Sequence, residues 1–265
     1  MTTPISLPVR LAIFRRPLTV KVAQVTVLFW VAKLLSTGMG EACSDFLFAR
    51  FGAVGLLGGS VVFVVAMAAQ LRSARYVVWL YWSAVAMVAV VGTMAADVIH
   101  VGAGIPYAVT TPFFALALLV VFSCWKRAEG TLSIHSISTR RREWFYWVAV
   151  MTTFAFGTAA GDLTAITLNL GYLGSVWLFL AVMAVPLVGW RLGLNPVVAF
   201  WMAYIVTRPL GASVADWVGK PVSRTGLGLG DGTITAVLAA VFIGVVIAMA
   251  RRDGMAEPDG TAATP

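Results

Sequence analysis

The chain has 265 residues, 60% of them hydrophobic and only 11% charged, with a mean hydropathy of +0.91. A soluble domain carries about 25% charged residues, and a soluble fold of this size cannot bury so much apolar surface, so a soluble globular enzyme is excluded. The formal net charge of +8 raises nucleic acid as a partner, but the placement of the basic residues along the chain removes that reading.

A basic segment, "MTTPISLPVRLAIFRRPLTVKV", comes first. No compact apolar run ending in a small-residue cleavage site follows it, so it reads as a cytoplasmic arm over about 1–21 rather than a signal peptide. A membrane span needs roughly 20 mainly apolar residues. Eight such segments follow, at about 22–43, 54–71, 77–96, 107–125, 144–161, 172–190, 196–214 and 232–250. The loop "KRAEGTLSIHSISTRRRE" is the one sizeable soluble segment between them, and His135 in it is an ordinary loop histidine. The tail over about 251–265 is polar, lacks apolar periodicity and reads as disordered. The predicted fold class is therefore an all-α integral membrane protein: one eight-helix membrane domain over about 22–250 between a basic arm and a disordered tail.

Lys and Arg set the orientation. Fourteen of the 19 lie in the N-terminal arm, in the loops after spans 2, 4 and 6, or after span 8. Arg50, Lys220 and Arg224 lie on the other side, and Lys33 and Arg208 lie inside spans. Both termini are expected to be cytoplasmic, and the excess positive charge is a topology signal helped by attraction to anionic lipid. Cys43 and Cys124 fall near opposite faces of the membrane, in no metal-ligand spacing, and read as small fillers.

The spans repeat. Trp30, Trp82, Trp147 and Trp201 are each followed ten residues on by a glycine (Gly40, Gly92, Gly157, Gly211) and fifteen on by an aspartate (Asp45, Asp97, Asp162, Asp216). An aromatic residue precedes each tryptophan: Phe29, Tyr81, Tyr146 and Phe200. Each unit holds two spans, so all four enter from the same side as parallel tandem repeats, at approximately 22–72, 73–126, 140–191 and 194–250. Fifteen helical residues rise about 22 Å. That places the tryptophans toward the cytoplasmic interface, where their rings are favoured, and the aspartates near the far boundary. The glycine lets helix backbones approach closely.

The four W-x9-G-x4-D units, with "FWVAKLLSTGMGEACSD" in the first and "VTRPLGASVAD" in the fourth, resemble a bacterial family of membrane proteins. That family has four tandem two-helix repeats of unknown function, each with a characteristic tryptophan, and its members often carry only the label "membrane-anchored protein". The resemblance runs from about 21 to 250. It implies the architecture, the topology and a bacterial inner membrane. No activity comes with it.

Six of the 11 acidic residues gather on the extracytoplasmic side: Glu41, Asp45, Asp97, Asp162, Asp216 and Asp231. A helix C-terminus disfavours carboxylates, so something must compensate them: a cation, a basic side chain, or amides of the following turn. Lys33, Thr37, Glu41 and Asp45 form one stripe at i+4 steps, and Arg208 shares a face with Asp216. Lys33 and Arg208 have uncharged counterparts in the other units (Val85, Val150 and Tyr204; Thr37, Ala89 and Phe154). They are expected to offset carboxylates if spans 1 and 7 face a shared interior, either as a functional path or as a static salt bridge. Asp97 and His100 have a spacing open to one shared ion, though a plain interfacial histidine is the simpler reading. "RTGLGLGDG" lacks the phosphate-loop pattern, and Asp231 reads as a helix-start residue.

The leading functional expectation is a small transporter or channel for an inorganic cation or proton. Its pathway residues would be Lys33, Glu41, Asp45, Asp97, Asp162, Arg208 and Asp216. The rival is a non-transporting scaffold, sensor or accessory subunit with structural aspartates. No HExxH, GxSxG or Rossmann pattern appears, so neither an enzyme nor a cofactor is expected, and the partners are lipid and the ion.

Overall fold

The computed structural model describes residues 20–256. Among these residues the chain is all-helical, with no strand. Seven long helices follow in order: α1 (Val27–Arg72), α2 (Val78–Asp97), α3 (Tyr107–Glu129), α4 (Arg140–Asp162), α5 (Gly171–Arg191), α6 (Pro196–Gly219) and α7 (Asp231–Ala256). All seven are long and apolar enough to cross a membrane. Their starts follow local chemistry. The Thr26 and Thr139 hydroxyls accept from the amides of Phe29 and Arg142. Asn195 accepts from Val197, with Pro196 in the first turn. These are N-caps that satisfy otherwise orphaned donors.

The first two expected spans are one 46-residue helix, α1, interrupted at Gly52, whose φ of 54° and ψ of −130° are not helical. Straight, it would reach about 69 Å, more than twice a hydrocarbon core. Instead it folds back. Near its end, Gln70 donates through Nε2 to the carbonyl of Lys21, which precedes the helix start (3.4 Å). The bend is so tight that a Cβ on Gly55 would lie 2.5 Å from the Leu47 carbonyl oxygen. The loop expected between the first two spans is thus reduced to a hinge, which only glycine can occupy at this φ.

The units close into a ring. The first half of α1 and the helices α2, α4 and α6 form an inner circle, each touching the next and α6 returning to α1. The repeat glycine of every unit abuts the next unit seven residues after its tryptophan: Gly40 on Ala89, Gly92 on Phe154, Gly157 on Arg208, and Gly211 on Thr37. At the other end the pre-tryptophan aromatic of each unit meets the tryptophan of the next: Phe29 with Trp82 (5.7 Å between centroids), Tyr81 with Trp147 (5.7 Å), Tyr146 with Trp201 (6.2 Å) and Phe200 with Trp30 (5.7 Å). Two independent sets of contacts obey the same cyclic rule, which defines a head-to-tail ring that closes after four units.

The second helix of a unit packs on the inner helix of the next: α3 on α4, α5 on α6, and α7 on α1. Gly59, in the second half of α1, likewise faces Met94 of α2. More than half of the apolar window of α2, α4 and α6 is buried, against less than a third in α3, α5 and α7. Each unit therefore completes its neighbour rather than itself.

Several expectations are corrected here. Trp82, Trp147 and Trp201 are buried against other rings and do not face the lipid interface; four aromatic pairs per turn of the ring offer more contact than headgroups do. The arm expected over 1–21 is anchored at its end, where Lys21 is buried; residues 1–19 lie outside the described residues. The tail expected to be disordered from 251 continues α7 as far as Ala256, and 257–265 lie outside the described residues. The third inner helix, α4, begins at Arg140 rather than near 144, so the soluble loop is shorter and Glu143 is helical.

Candidate functional site: a polar column on the ring axis

Positions recurring every four residues along each inner helix face inward, so the ring builds layers. Three residues after the tryptophans stand Lys33, Val85, Val150 and Tyr204, all buried. Eleven residues after them stand Glu41, Thr93, Thr158 and Ala212, also buried. Arg208, from the layer between, is fully buried. Its Nη2 lies within hydrogen-bonding distance of Glu41 Oε2 (2.5 Å), the Thr158 hydroxyl (2.6 Å) and the Thr93 hydroxyl, three acceptors sharing two N–H groups, while Nη1 reaches the Thr37 carbonyl (3.5 Å). Thr93 also donates to Glu41 Oε2 (3.2 Å). One guanidinium from the fourth unit therefore joins all three others. A fork of fixed donors suits this arrangement better than a lysine ammonium would. Removing one partner of a buried pair typically costs about 3–5 kcal/mol.

Lys33 departs from expectation. Its ammonium nitrogen has no carboxylate or hydrogen-bond partner among the described residues. It rests on aromatic faces, 4.0 Å from the Phe154 ring centroid and 4.3 Å from that of Tyr204. Cation–π contact replaces the expected ion pair, because Arg208 has already engaged Glu41.

The outer end is carboxylate-rich. Oxygens of Glu41, Asp45 and Asp216 lie within 4.8 Å of one another. Lys220, just past α6, reaches into this group: its Nζ is 2.6 Å from Asp45, 3.2 Å from Asp231 and 3.9 Å from Asp216. Burial pulls the Lys220 ammonium down, but the carboxylates of Asp45, Asp216 and Asp231 outweigh burial and hold its pKa above the ordinary lysine range. Asp231 opens α7 as expected. Asp97 and Asp162 stand half-buried at the same register. After each, the helix continues as a π-helical turn, Val98–Gly102 and Leu163–Thr167, so neither carboxylate sits at a final helix end and the dipole objection is weaker than expected. His100 does not join Asp97. It stacks on Tyr107 (3.5 Å between centroids), with Nδ1 against the Ile105 carbonyl (2.7 Å).

At the opposite end the axis is closed. The Tyr81 and Tyr146 hydroxyls meet at 2.5 Å inside the aromatic belt. Beneath it, buried Glu143 pairs with Lys21 and accepts from Gln70 Nε2 (3.1 Å), and the Lys21 amide donates to Ile137 (2.9 Å).

This is the pattern of a known repeat. The Repeat of Unknown Function DUF347 matches residues 28–76, 80–131, 145–192 and 199–254. The chain belongs to the DUF347 family. No curated protein and no solved structure matches this DUF347 chain. The family repeats coincide with the four units of the ring, each centred on one W-x9-G-x4-D helix and its partner.

Of the residues singled out in the sequence, Glu41, Asp45, Arg208 and Asp216 converge; Asp97 and Asp162, on the second and third units, stand within electrostatic reach of Glu41 and Asp45, and Lys33 lies one layer below Arg208. Sequence reasoning missed Thr93, Thr158, Lys220 and the Lys21–Gln70–Glu143 group. The two threonines were findable, since they share the register of Glu41 eleven residues after a tryptophan. Lys220 had a signal too, standing four residues beyond Asp216.

Proposed function

We propose that this DUF347 protein is a multi-pass protein of a bacterial inner membrane that moves an inorganic cation or proton. It has eight spans, α1 supplying two through its reversal at Gly52, and both termini on the Lys/Arg-rich cytoplasmic side. The four units act as one membrane domain, and the role is not enzymatic. The observation that carries the reading is the convergence on one axis of Glu41, Asp45 and Asp216 with two side-chain cations, Arg208 and Lys220. A carboxylate mouth concentrates cations, and hard oxygen donors suit a proton or a small divalent ion. Lys220 occupies the place of an incoming ion as a tethered cation. Its backbone is fixed as the C-cap of α6, the amide donating to the Asp216 carbonyl and the carbonyl accepting from Gly228, so only the side chain has to swing away to free the carboxylates. Asp97 and Asp162 extend the mouth. Lys33 and Arg208 repel a bare cation below it, and the aromatic belt seals the other end, so passage requires the ring to rearrange or a proton to be relayed.

The rival, a non-transporting scaffold, sensor or accessory subunit, draws on one specific observation: Glu41 and Asp45 each already have a basic partner. Ion flux into proteoliposomes separates the two. H⁺, Na⁺, K⁺, Mg²⁺ and Mn²⁺ are tested beside an Asp45→Asn/Asp216→Asn variant of equal folded yield. Flux of one ion that disappears in the variant is the expected result. No flux of any ion, with the variant merely less stable, gives the rival.

A further inference from the structure

Away from the axis, α3 and α4 leave an outward cleft at the Lys/Arg-rich end. It encloses about 540 Å³ and is lined by Val120, Val121, Cys124, Trp144, Phe145 and Val148, with Arg141 at its rim. Its walls are almost wholly apolar, and Val120, Trp144 and Val148 are exposed. The adjoining ends of the two helices carry Lys126, Arg127, Arg140, Arg141 and Arg142. Among the described residues the acid facing them is Glu129, shared by Arg141 (3.2 Å) and Arg142 (2.8 Å). Lys126 turns to the Gly130 carbonyl (2.5 Å). Arg140 and Arg127 are exposed.

We propose that this cleft is a binding site for one anionic phospholipid. An acyl chain lies along Val120, Val121, Phe145 and Val148, the Trp144 ring stands at headgroup level, and the phosphate meets Arg140 and Arg141. The argument is charge complementarity joined to shape. Five basic side chains face one carboxylate, so the rim demands negative charge. The cleft below offers nothing polar, so the ligand must carry a long apolar part. A soluble phosphate would satisfy only the rim, and a zwitterionic lipid would bring a headgroup cation against the same arginines. Trp at a membrane–water boundary and Arg with phosphate are each favoured pairings. The inference does not depend on the transport reading, since the cleft lies on the outer surface of the ring.

Cys124 lines the cleft and is exposed, whereas the one other cysteine, Cys43, is on α1. In a Cys43→Ala background a small fluorophore on Cys124 reports the occupant directly. The labelled protein is reconstituted in phosphatidylcholine containing a minor fraction of acyl-brominated lipid, either phosphatidylglycerol or phosphatidylcholine. Stronger quenching by the glycerol lipid is expected, with a preference of roughly fivefold for each arginine engaged. Arg140→Gln/Arg141→Gln abolishes that preference, while Val148→Trp lowers quenching by both lipids because it fills the cleft. Equal quenching by the two lipids overturns the proposal, as does a preference that persists in the double arginine variant. So does a fluorophore that neither lipid reaches, the result expected if a second copy of the chain covers the cleft.

Discussion

The two ends of the axial column are built by opposite means. The Lys/Arg-rich end is closed by aromatic rings in a cyclic chain of contacts, with Tyr81 and Tyr146 hydrogen-bonded at its centre. Beneath the rings, Lys21 pairs with buried Glu143. The other end holds carboxylates, Glu41 and Asp216 buried and Asp45 and Asp231 half-buried, that share cations across three helices, and its key cation, Lys220, stands just past α6. Packing is non-directional and hard to undo in part, whereas ion pairs near solvent exchange partners readily. The first end is suited to hold the ring together and the second to change.

The comparison is broken most severely at the aromatic end. Trp147→Ala removes a buried indole that meets both Tyr81 and Tyr146 and is expected to cost about 3–5 kcal/mol, measured by reversible unfolding in detergent. A loss below 1 kcal/mol would show that the belt does not hold the ring. In the middle of the column, Gly211→Ala forces a methyl into Thr37 at the seam between the last and first units. Overpacking of this kind is expected to cost about 1–3 kcal/mol. A parallel Gly58→Ala, where a Cβ meets nothing within 4 Å, should be neutral in the same assay.

At the carboxylate end the effect depends on pH. The folded pKa of Lys220 lies above its ordinary value, so the protonated form stabilises the fold. That contribution is complete below the unfolded value of about 10.4 and is lost as pH rises toward the folded one. The stability difference between the wild type and Lys220→Met should therefore be flat from neutral pH to about 10 and shrink above it. A difference that shrinks already between about pH 8 and 10 contradicts the assignment. The smallest effect is expected for Asp97→Asn, a half-buried carboxylate with no ion pair among the described residues. Its change in stability should stay within about 0.5 kcal/mol, while Asp45→Asn, which deprives Lys220 of its 2.6 Å partner, should exceed it in the same unfolding series.

Much of the fold was legible because the chain repeats. Tryptophan, glycine and aspartate recur at fixed distances, and a fixed distance on a helix is a fixed height and a fixed face. That was enough for the helical class, the membrane setting, the four units and the glycine contacts. The candidate site was only partly legible. Comparing the units at the registers of Lys33 and Arg208 picked out both as singular, but a stripe on one helix does not say which neighbour it meets. Lys33 lies on the same face as Glu41 and still has no carboxylate partner, because Arg208 arrives from the fourth unit and engages Glu41 first.

The sequence by itself determined what each helix is: its length, its apolar faces, the small residue where another helix must pass, and the charges it carries. These are local properties, set by composition and a 3.6-residue period. Only the tertiary structure decided that the units close head to tail, that the outer helix of one covers the inner helix of the next, that α1 turns back at Gly52 with no loop, and that a lysine beyond α6 reaches carboxylates from α1, α6 and α7. Each of these joins residues far apart in the chain, so it depends on which surfaces find one another, and no periodicity within a single helix records that choice.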